Sequence, residues 1–214
     1  FVTVEEGLKN AGFEITTQSW LDRYDQVVED ARKAFFGAVR KEAEAAGLTG
    51  SRLAMYAMGR TCPEPEYELP LDGEGDMAAY ILARNSGEGS DRKPVAGDIN
   101  LTETEIRDIL ALNEKYDKFV LVLNVGGMID LKPVKAVKTV LLMGQLGSAT
   151  GDALSDVLLG KASPSGKLTM TWAPIKDYPS TEGFGDPNDT YYKEGIYVGY
   201  RYFDTVGYTP TYPF

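Results

Sequence analysis

Three near-continuous apolar runs, at residues 76–83, 118–124 and 138–143, constrain the fold of this chain more than any other feature. A strand with one wet face alternates apolar and polar residues, whereas a run that is apolar at almost every position needs cover on both sides. Such runs separated by helical stretches are the pattern of parallel strands in the middle of a sheet, joined by right-handed crossovers. The expected fold class is therefore α/β: a three-layer α/β/α sandwich with a mostly parallel sheet, plus an irregular C-terminal arm.

The intervening segments fill in the layers. Residues 4–11 predict a short helix closed by Gly12, and residues 13–17 predict a strand rich in β-branched side chains. From Ser19, a natural N-cap, Trp20, Leu21, Tyr24, Val27, Val28, Ala31, Phe35 and Val39 recur at helical spacing, so residues 19–46 read as one long amphipathic helix ended by Gly47. Residues 53–58 are a weak apolar stretch, and the prolines in Cys62-Pro63-Glu64-Pro65-Glu66 predict irregular backbone. Thr102 and Glu105 form a capping box that opens a helix running to Tyr116. A further helix is expected over 152–159, ended by Gly160, and an edge strand over 166–172. After Pro174, Gly, Pro, Asp and Asn dominate, and a tyrosine-rich run over 191–212 shows little helical periodicity. This divides the chain into a sandwich domain, 1–174, and an extended arm, 175–214, packed on the sandwich or on another domain.

Composition removes whole classes of function. The chain has 214 residues and 43% hydrophobic content, enough for a sizeable core. With 22 basic against 32 acidic residues, a net charge of −10 and no basic stripe, nucleic acid is an unsuitable partner. Histidine is absent, which excludes Ser-His-Asp and Cys-His nucleophiles and the commonest transition-metal ligand. The lone Cys62 excludes an intrachain disulfide and a thiolate zinc site, and reads as structural. No apolar run reaches the length of a membrane span, so no membrane partner is expected. Catalysis by such a chain falls to carboxylates, lysine, tyrosine or metal-bound water.

A single carboxylate stands out. Glu88 lies between Gly87 and Gly89, directly after the first apolar run and ahead of Ser90-Asp91-Arg92-Lys93. Glycine flanks open backbone conformations closed to other residues, so the turn is able to project the carboxylate sharply. In open α/β sheets ligands bind outside the carboxyl ends of the strands, which is where this turn falls. Glu88 is therefore a candidate proton donor, against the plainer reading of a solvated turn whose glycines serve geometry. Asp91 and Arg92 are candidates for an ion pair that braces the loop or for ligand contacts, with Asn85 grouped beside them; Lys93 reads as solvated. Two other glycine-rich turns, Gly126-Gly127 and the stretch from Gly144 to Gly151, lack the GxGxxG and GxxxxGK[ST] spacings. No cofactor and no metal site is expected, and the second turn reads as a packing device.

Around Glu88 the residues carry a resemblance. Asn85-Ser86-Gly87-Glu88-Gly89-Ser90-Asp91-Arg92-Lys93-Pro94, followed by Gly97-Asp98 and Leu101-Thr102, resembles the SGEGxDRKPxxGD stretch of glycoside hydrolase family 3 β-glucosidases. Val122-Leu123-Asn124-Val125-Gly126 with Ile129-Asp130, Asp156-Val157-Leu158-Leu159-Gly160 before Pro164-Ser165-Gly166-Lys167-Leu168, and Tyr192-Lys193-Glu194-Gly195-Ile196-Tyr197-Val198-Gly199-Tyr200-Arg201-Tyr202-Phe203-Asp204 resemble further motifs of that family in the same order.

The resemblance implies a retaining, exo-acting enzyme acting on terminal β-D-glucosyl residues of β-glucosides or cello-oligosaccharides, with the xylosidase branch as a near neighbour. It maps the general acid/base onto Glu88 and puts the aspartate nucleophile on a (β/α)8 barrel domain. That motif is absent from these residues, so the chain is expected to be a portion of a larger enzyme, inactive alone. The alternative is a non-catalytic sugar-binding or scaffolding module. The tyrosine-rich arm is open to a barrel contact or a homodimer contact, and a bacterial cytoplasmic location is expected, with secretion left open. Departures from the family pattern fall at Gly144, where tryptophan is common, at Ala149, where glutamate is, and at Met128, which replaces proline. They imply a roomier or differently lined sugar pocket.

Overall fold

The computed structural model describes residues 1–58, 60–85, 92–179, 186 and 188–214. They form two compact units, Phe1–Ser163 and Pro164–Phe214.

The first unit is built on a parallel sheet of order β1-β2-β3, with β1 at Ala78–Arg84, β2 at Phe119–Val125 and β3 at Val140–Leu142. The three apolar runs thus become the strands, displaced by one or two residues. The central β2 explains why they are apolar throughout. Val120 and Val122 pack with Ile81, Leu141, Met143 and Leu154 on one face. The alternate residues Leu121 and Leu123 are equally buried and point, by strand alternation, to the other face. Helices α1 (Val4–Asn10) and α5 (Thr150–Leu158) cover the first face, contributing Val4, Leu154 and Leu158. Helix α4 (Glu103–Lys115), with Ile109 fully buried, covers the second. The result is the three-layer α/β/α sandwich.

Helices α1 and α5 approach closely because both carry glycine at the crossing. A Cβ on Gly7 would stand 2.1 Å from the Gly151 carbonyl carbon, and one on Gly151 would stand 1.9 Å from the Thr3 carbonyl oxygen. The two segments are also bonded directly, Val2 N donating to Ser148 O at 2.7 Å and Gly151 N to Val2 O at 3.1 Å. The glycine-rich turn after β3 therefore serves packing through Gly151.

Helix α2 (Gln18–Ala45) has 28 residues, about 42 Å. Its N-cap is Thr17, two residues ahead of the expected cap Ser19. Its first turns hold Trp20 stacked on Tyr24 at 5.3 Å, with Tyr67 edge-on to both. Its far half carries α3 (Gly50–Met58), where Tyr56 donates to Glu42 at 2.7 Å. The weak apolar stretch of 53–58 is thus helical. Leu53, Tyr56 and Ala57 recur at helical spacing and are half-buried, a period too short to register in sequence.

Two expected strands do not form. In residues 13–17 Phe13 and Ile15 are half-buried while Glu14 and Thr16 are exposed, so the alternation is real; no ladder partner joins it among the described residues. Over 166–172 a single antiparallel bridge forms, with Trp172 N donating to Tyr212 O at 2.9 Å and Tyr212 N to Trp172 O at 3.1 Å. Alternation specifies a wet face and a dry face, but strand structure also needs a neighbour of matching length. In this second unit the tyrosine-rich run contains helix α6 (Tyr200–Val206), bracketed by Gly199 and Gly207. Its Phe203 is buried among Tyr178, Tyr202 and Tyr208.

Gly7→Ala is expected to destabilise the protein by about 3 kcal/mol, the upper end of ordinary overpacking, because the added methyl meets backbone. Gly37→Ala, on the solvent side of α2 where a Cβ meets nothing within 4 Å, is expected to stabilise it by about 0.5–1 kcal/mol. Urea titration of both variants checks the pair of opposite signs.

Candidate active site

Strand β1 ends in Arg84, a charged residue that a buried strand has to justify. Register puts Tyr80, Leu82 and Arg84 beside Leu121, Leu123 and Val125, on the face that α4 covers. Arg84 is 7% exposed and Glu105 of α4 is 1% exposed, and Arg84 Nη2 meets Glu105 Oε2 at 2.7 Å. The same Glu105 oxygen accepts from Thr102 N at 2.8 Å, while Thr102 Oγ1 accepts from Glu105 N at 3.1 Å. The capping box read from sequence is present, and its glutamate doubles as the counter-ion of the strand. Arg84 donates further to Asp98 O from Nε at 2.9 Å and to Ala83 O from Nη1 at 2.8 Å.

Beyond β1, Asn85 is exposed. Glu88 and Asp91, with Gly87 and Gly89, lie outside the described residues. The chain resumes at Arg92, whose guanidinium pairs with the Asp98 carboxylate. Asp98 also accepts from Lys93 N at 2.6 Å, and the Lys93 side chain is exposed. The segment is closed by Ile99 N donating to Lys93 O at 3.1 Å and by Asn100 Nδ2 donating to Pro94 O at 2.8 Å. Asp130 N, beyond β2, donates to Ile99 O at 2.9 Å. The Gly126-Gly127 turn borders this segment, since a Cβ on Gly127 would lie 3.6 Å from Arg92 Nη1.

Under the loop runs the proline-broken strap 62–66. Gly97, at φ +79°, is pressed against it: a Cβ there would come within 2.6 Å of Glu64 O, so neither the angle nor the space admits a larger residue. Glu64 N donates to Gly97 O at 3.1 Å, and the Glu64 carboxylate turns inward to accept from Tyr24 OH at 2.6 Å. Burial holds the Glu64 carboxyl above its ordinary 4.5, opposed by the Tyr24 hydrogen bond. Burial also pushes the Cys62 thiol up, which suits an inert thiol. Glu66 seats its carboxylate on the N-terminus of α4, accepting from Glu103 N at 3.1 Å and Thr104 N at 3.0 Å.

The structure thus brings Arg92 together with Asp98, Arg84 and Glu105 at the carboxyl edge of the sheet. Sequence pointed to neither Arg84 nor Glu64 as a site residue, and to Asp98 only as part of the Gly97-Asp98 motif; the signal for Arg84 was a charge at the end of an apolar run. Among the described residues no group of three or more His, Cys, Asp or Glu side chains is placed to hold a metal ion.

Residues 6–200 match the model of the glycosyl hydrolase family 3 C-terminal domain. The β-glucosidase A of Butyrivibrio fibrisolvens is 38% identical over 174 residues, covering 66% of this chain and 21% of that protein. A β-glucosidase of Rhizobium radiobacter is 31% identical over 210 residues, covering 87% of this chain and 25% of that protein. The structure of β-glucosidase 3B from Thermotoga neapolitana in complex with α-D-glucose superposes with a TM-score of 0.73 at 29% identity, over 100% of this chain and 30% of that one. The chain spans a fifth to a third of the length of these relatives.

Glu105→Leu leaves Arg84 buried without its counter-ion and is expected to cost about 3–5 kcal/mol. Adding Arg84→Met should recover part of that loss, the capping function of Glu105 staying lost; chemical denaturation of both variants is the check, and a single-variant loss under about 1 kcal/mol would mark the pair as solvent-screened. A pH dependence follows from Glu64. An acid raised on folding stabilises fully below its unfolded pKa, and that contribution is lost as pH rises through the folded one. Glu64→Gln should therefore lose less stability than the parent protein as pH rises above the ordinary carboxyl value of 4.5, measured by thermal unfolding across that range.

Proposed function

The chain belongs to the glycosyl hydrolase family 3 C-terminal domains, and on that footing we propose that it is the acid/base-bearing part of a retaining, exo-acting β-glucosidase. The reaction is hydrolysis of terminal β-D-glucosyl residues, with β-glucosides or cello-oligosaccharides as substrates. Retention needs two carboxyl groups about 5–5.5 Å apart, one attacking the anomeric carbon and one protonating the leaving oxygen. Glu88 is the proton donor in this reading, and the aspartate nucleophile lies on a (β/α)8 barrel domain of the same enzyme.

The observation that carries the reading is the position of the Glu88 turn in the chain. In sequence it falls between Arg84, the last residue of β1 at the carboxyl edge of a parallel sheet, and Arg92, and the side chains of both arginines are tied to Asp98. A sheet edge held by buried charge gives a loop carboxylate a rigid base from which to meet a sugar on another domain. The β-glucosidase names of the relatives point the same way.

Within the complete enzyme, Glu88→Ala should lower kcat/KM about 100-fold or more on alkyl glucosides, whose leaving groups need a proton. Dinitrophenyl glucosides should lose far less, and azide should restore turnover by capturing the glycosyl-enzyme as glycosyl azide. Equal losses on both substrate classes would sink the assignment and favour a sugar-binding or scaffolding module.

A further inference from the structure

We infer that the outward face of α2 is a dimerisation surface whose partner is a second copy of this chain, the two α2 helices lying side by side and antiparallel. With 28 residues α2 is the longest described helix, and the element it packs against is α3. Its two buried residues, Val39 and Ala43, lie on one side of the helix. Asp30, Ala34, Gly37 and Lys41 lie on the opposite side, and all four are exposed. Their steps of four, three and four residues keep them within about 60° of arc, a straight stripe along the helix.

Charge selects the partner and its direction. The neighbouring side chains are neutralised along the helix, Lys33 by Glu29 at 2.6 Å and Arg40 by Glu44 at 2.9 Å. Asp30 and Lys41 form no ion pair among the described residues, Asp30 accepting a hydrogen bond from Gln26 Nε2 at 3.0 Å. The stripe therefore carries a negative charge at one end and a positive charge about 16 Å away at the other. Laid antiparallel on a copy of itself with Asp30 opposite Lys41 of the second copy, it repeats that match at its other end by symmetry and sets Ala34 against Gly37 in between. In the same register Lys33 faces Ala38 and Glu44 faces Val27, so no like charges meet along the stripe. Parallel pairing would set aspartate on aspartate and lysine on lysine, and like charges facing each other reject it.

Gly37 is an independent observation that points the same way. Glycine in a helix interior is unfavourable beside alanine because of the backbone freedom it loses on folding. At Gly7 and Gly151 close backbone neighbours account for it, whereas nothing lies within 4 Å of a Cβ built on Gly37. The chain itself gives no steric reason for glycine there, and a helix docked from outside does. Small residues at a crossing let two helix axes approach to about 8 Å, the short end of helix packing. With Ala34 and Gly37 at the centre the backbones meet closely, and the longer Asp30 and Lys41 side chains close the contact at its two ends.

The test follows self-association of the complete protein by sedimentation equilibrium, in the parent and in Asp30→Lys, Lys41→Asp and the double exchange of both. The parent should dimerise. Each single exchange sets like charges against each other at both ends of the stripe and should raise the dimer Kd about 10-fold or more. The double exchange restores opposite charges and should return the Kd to within a few-fold of the parent. An equimolar mixture of the two single variants should also associate as the parent does, since one then carries both positive charges and the other both negative ones. Gly37→Leu, which puts a strong helix former in place of glycine, should weaken the dimer by blocking the close approach. A parent that stays monomeric up to its solubility limit overturns the inference, and so does a dimer indifferent to the single exchanges or to Gly37→Leu. Single variants that fail to pair when mixed overturn the antiparallel register. All three positions are exposed, and circular dichroism checks that each variant keeps its helix content. Activity on glucosides is not the readout, so a failure of the acid/base reading of Glu88 leaves every one of these outcomes unchanged.

Discussion

A guanidinium at the end of a buried strand is the interaction on which the rest of the carboxyl edge depends. Arg84 is bonded to Asp98 O and lies under α4, and Glu105 neutralises it from the first turn of that helix. Desolvating two charges costs several kcal/mol each, so a buried pair is a poor source of stability unless the remaining hydrogen-bonding groups are met. Here they are met by Ala83 O, Asp98 O and Thr102 N. The pair therefore acts as a locator: strand, helix cap and loop are held in one mutual arrangement, and a slip of any of them would strand a charge.

That arrangement is what an acid/base carboxylate on a loop requires. A loop is the usual place for such a group, yet a loop alone cannot hold a proton donor to the tolerance that proton transfer demands. The sandwich supplies rigidity through a sheet buried on both faces, and Asp98 joins its edge at Arg84 to Arg92 and Lys93. Splitting a catalytic pair between domains, as proposed for this chain, makes the rigidity of each domain count directly in the separation of the two carboxyl groups.

The sequence was legible where a feature depended on neighbours in the chain. The Thr102–Glu105 capping box needs four consecutive residues and appeared as read. The strand runs needed only continuous hydrophobicity, and their displacement by a residue or two is the usual freedom of element ends. The failures share a different cause. Residues 13–17 and 166–172 have strand alternation without a ladder, because the partner that would complete them is a property of the packed chain. Helix α3 escaped because its apolar period spans barely two turns, and it forms on the surface that α2 presents.

By itself the sequence determined the class of fold, the absence of histidine chemistry and the isolation of Glu88 between glycines, because each follows from residue type and short-range spacing. Only the tertiary structure decided that Arg84 meets Glu105, that Asp98 links Arg84 to Arg92, and that Gly7 lies on Gly151. Those pairings join residues far apart in the chain, or opposite in charge but with several equivalent partners available. Which partner each one takes is settled by how the layers pack, since burial makes a wrong match costly and the surface leaves it almost free.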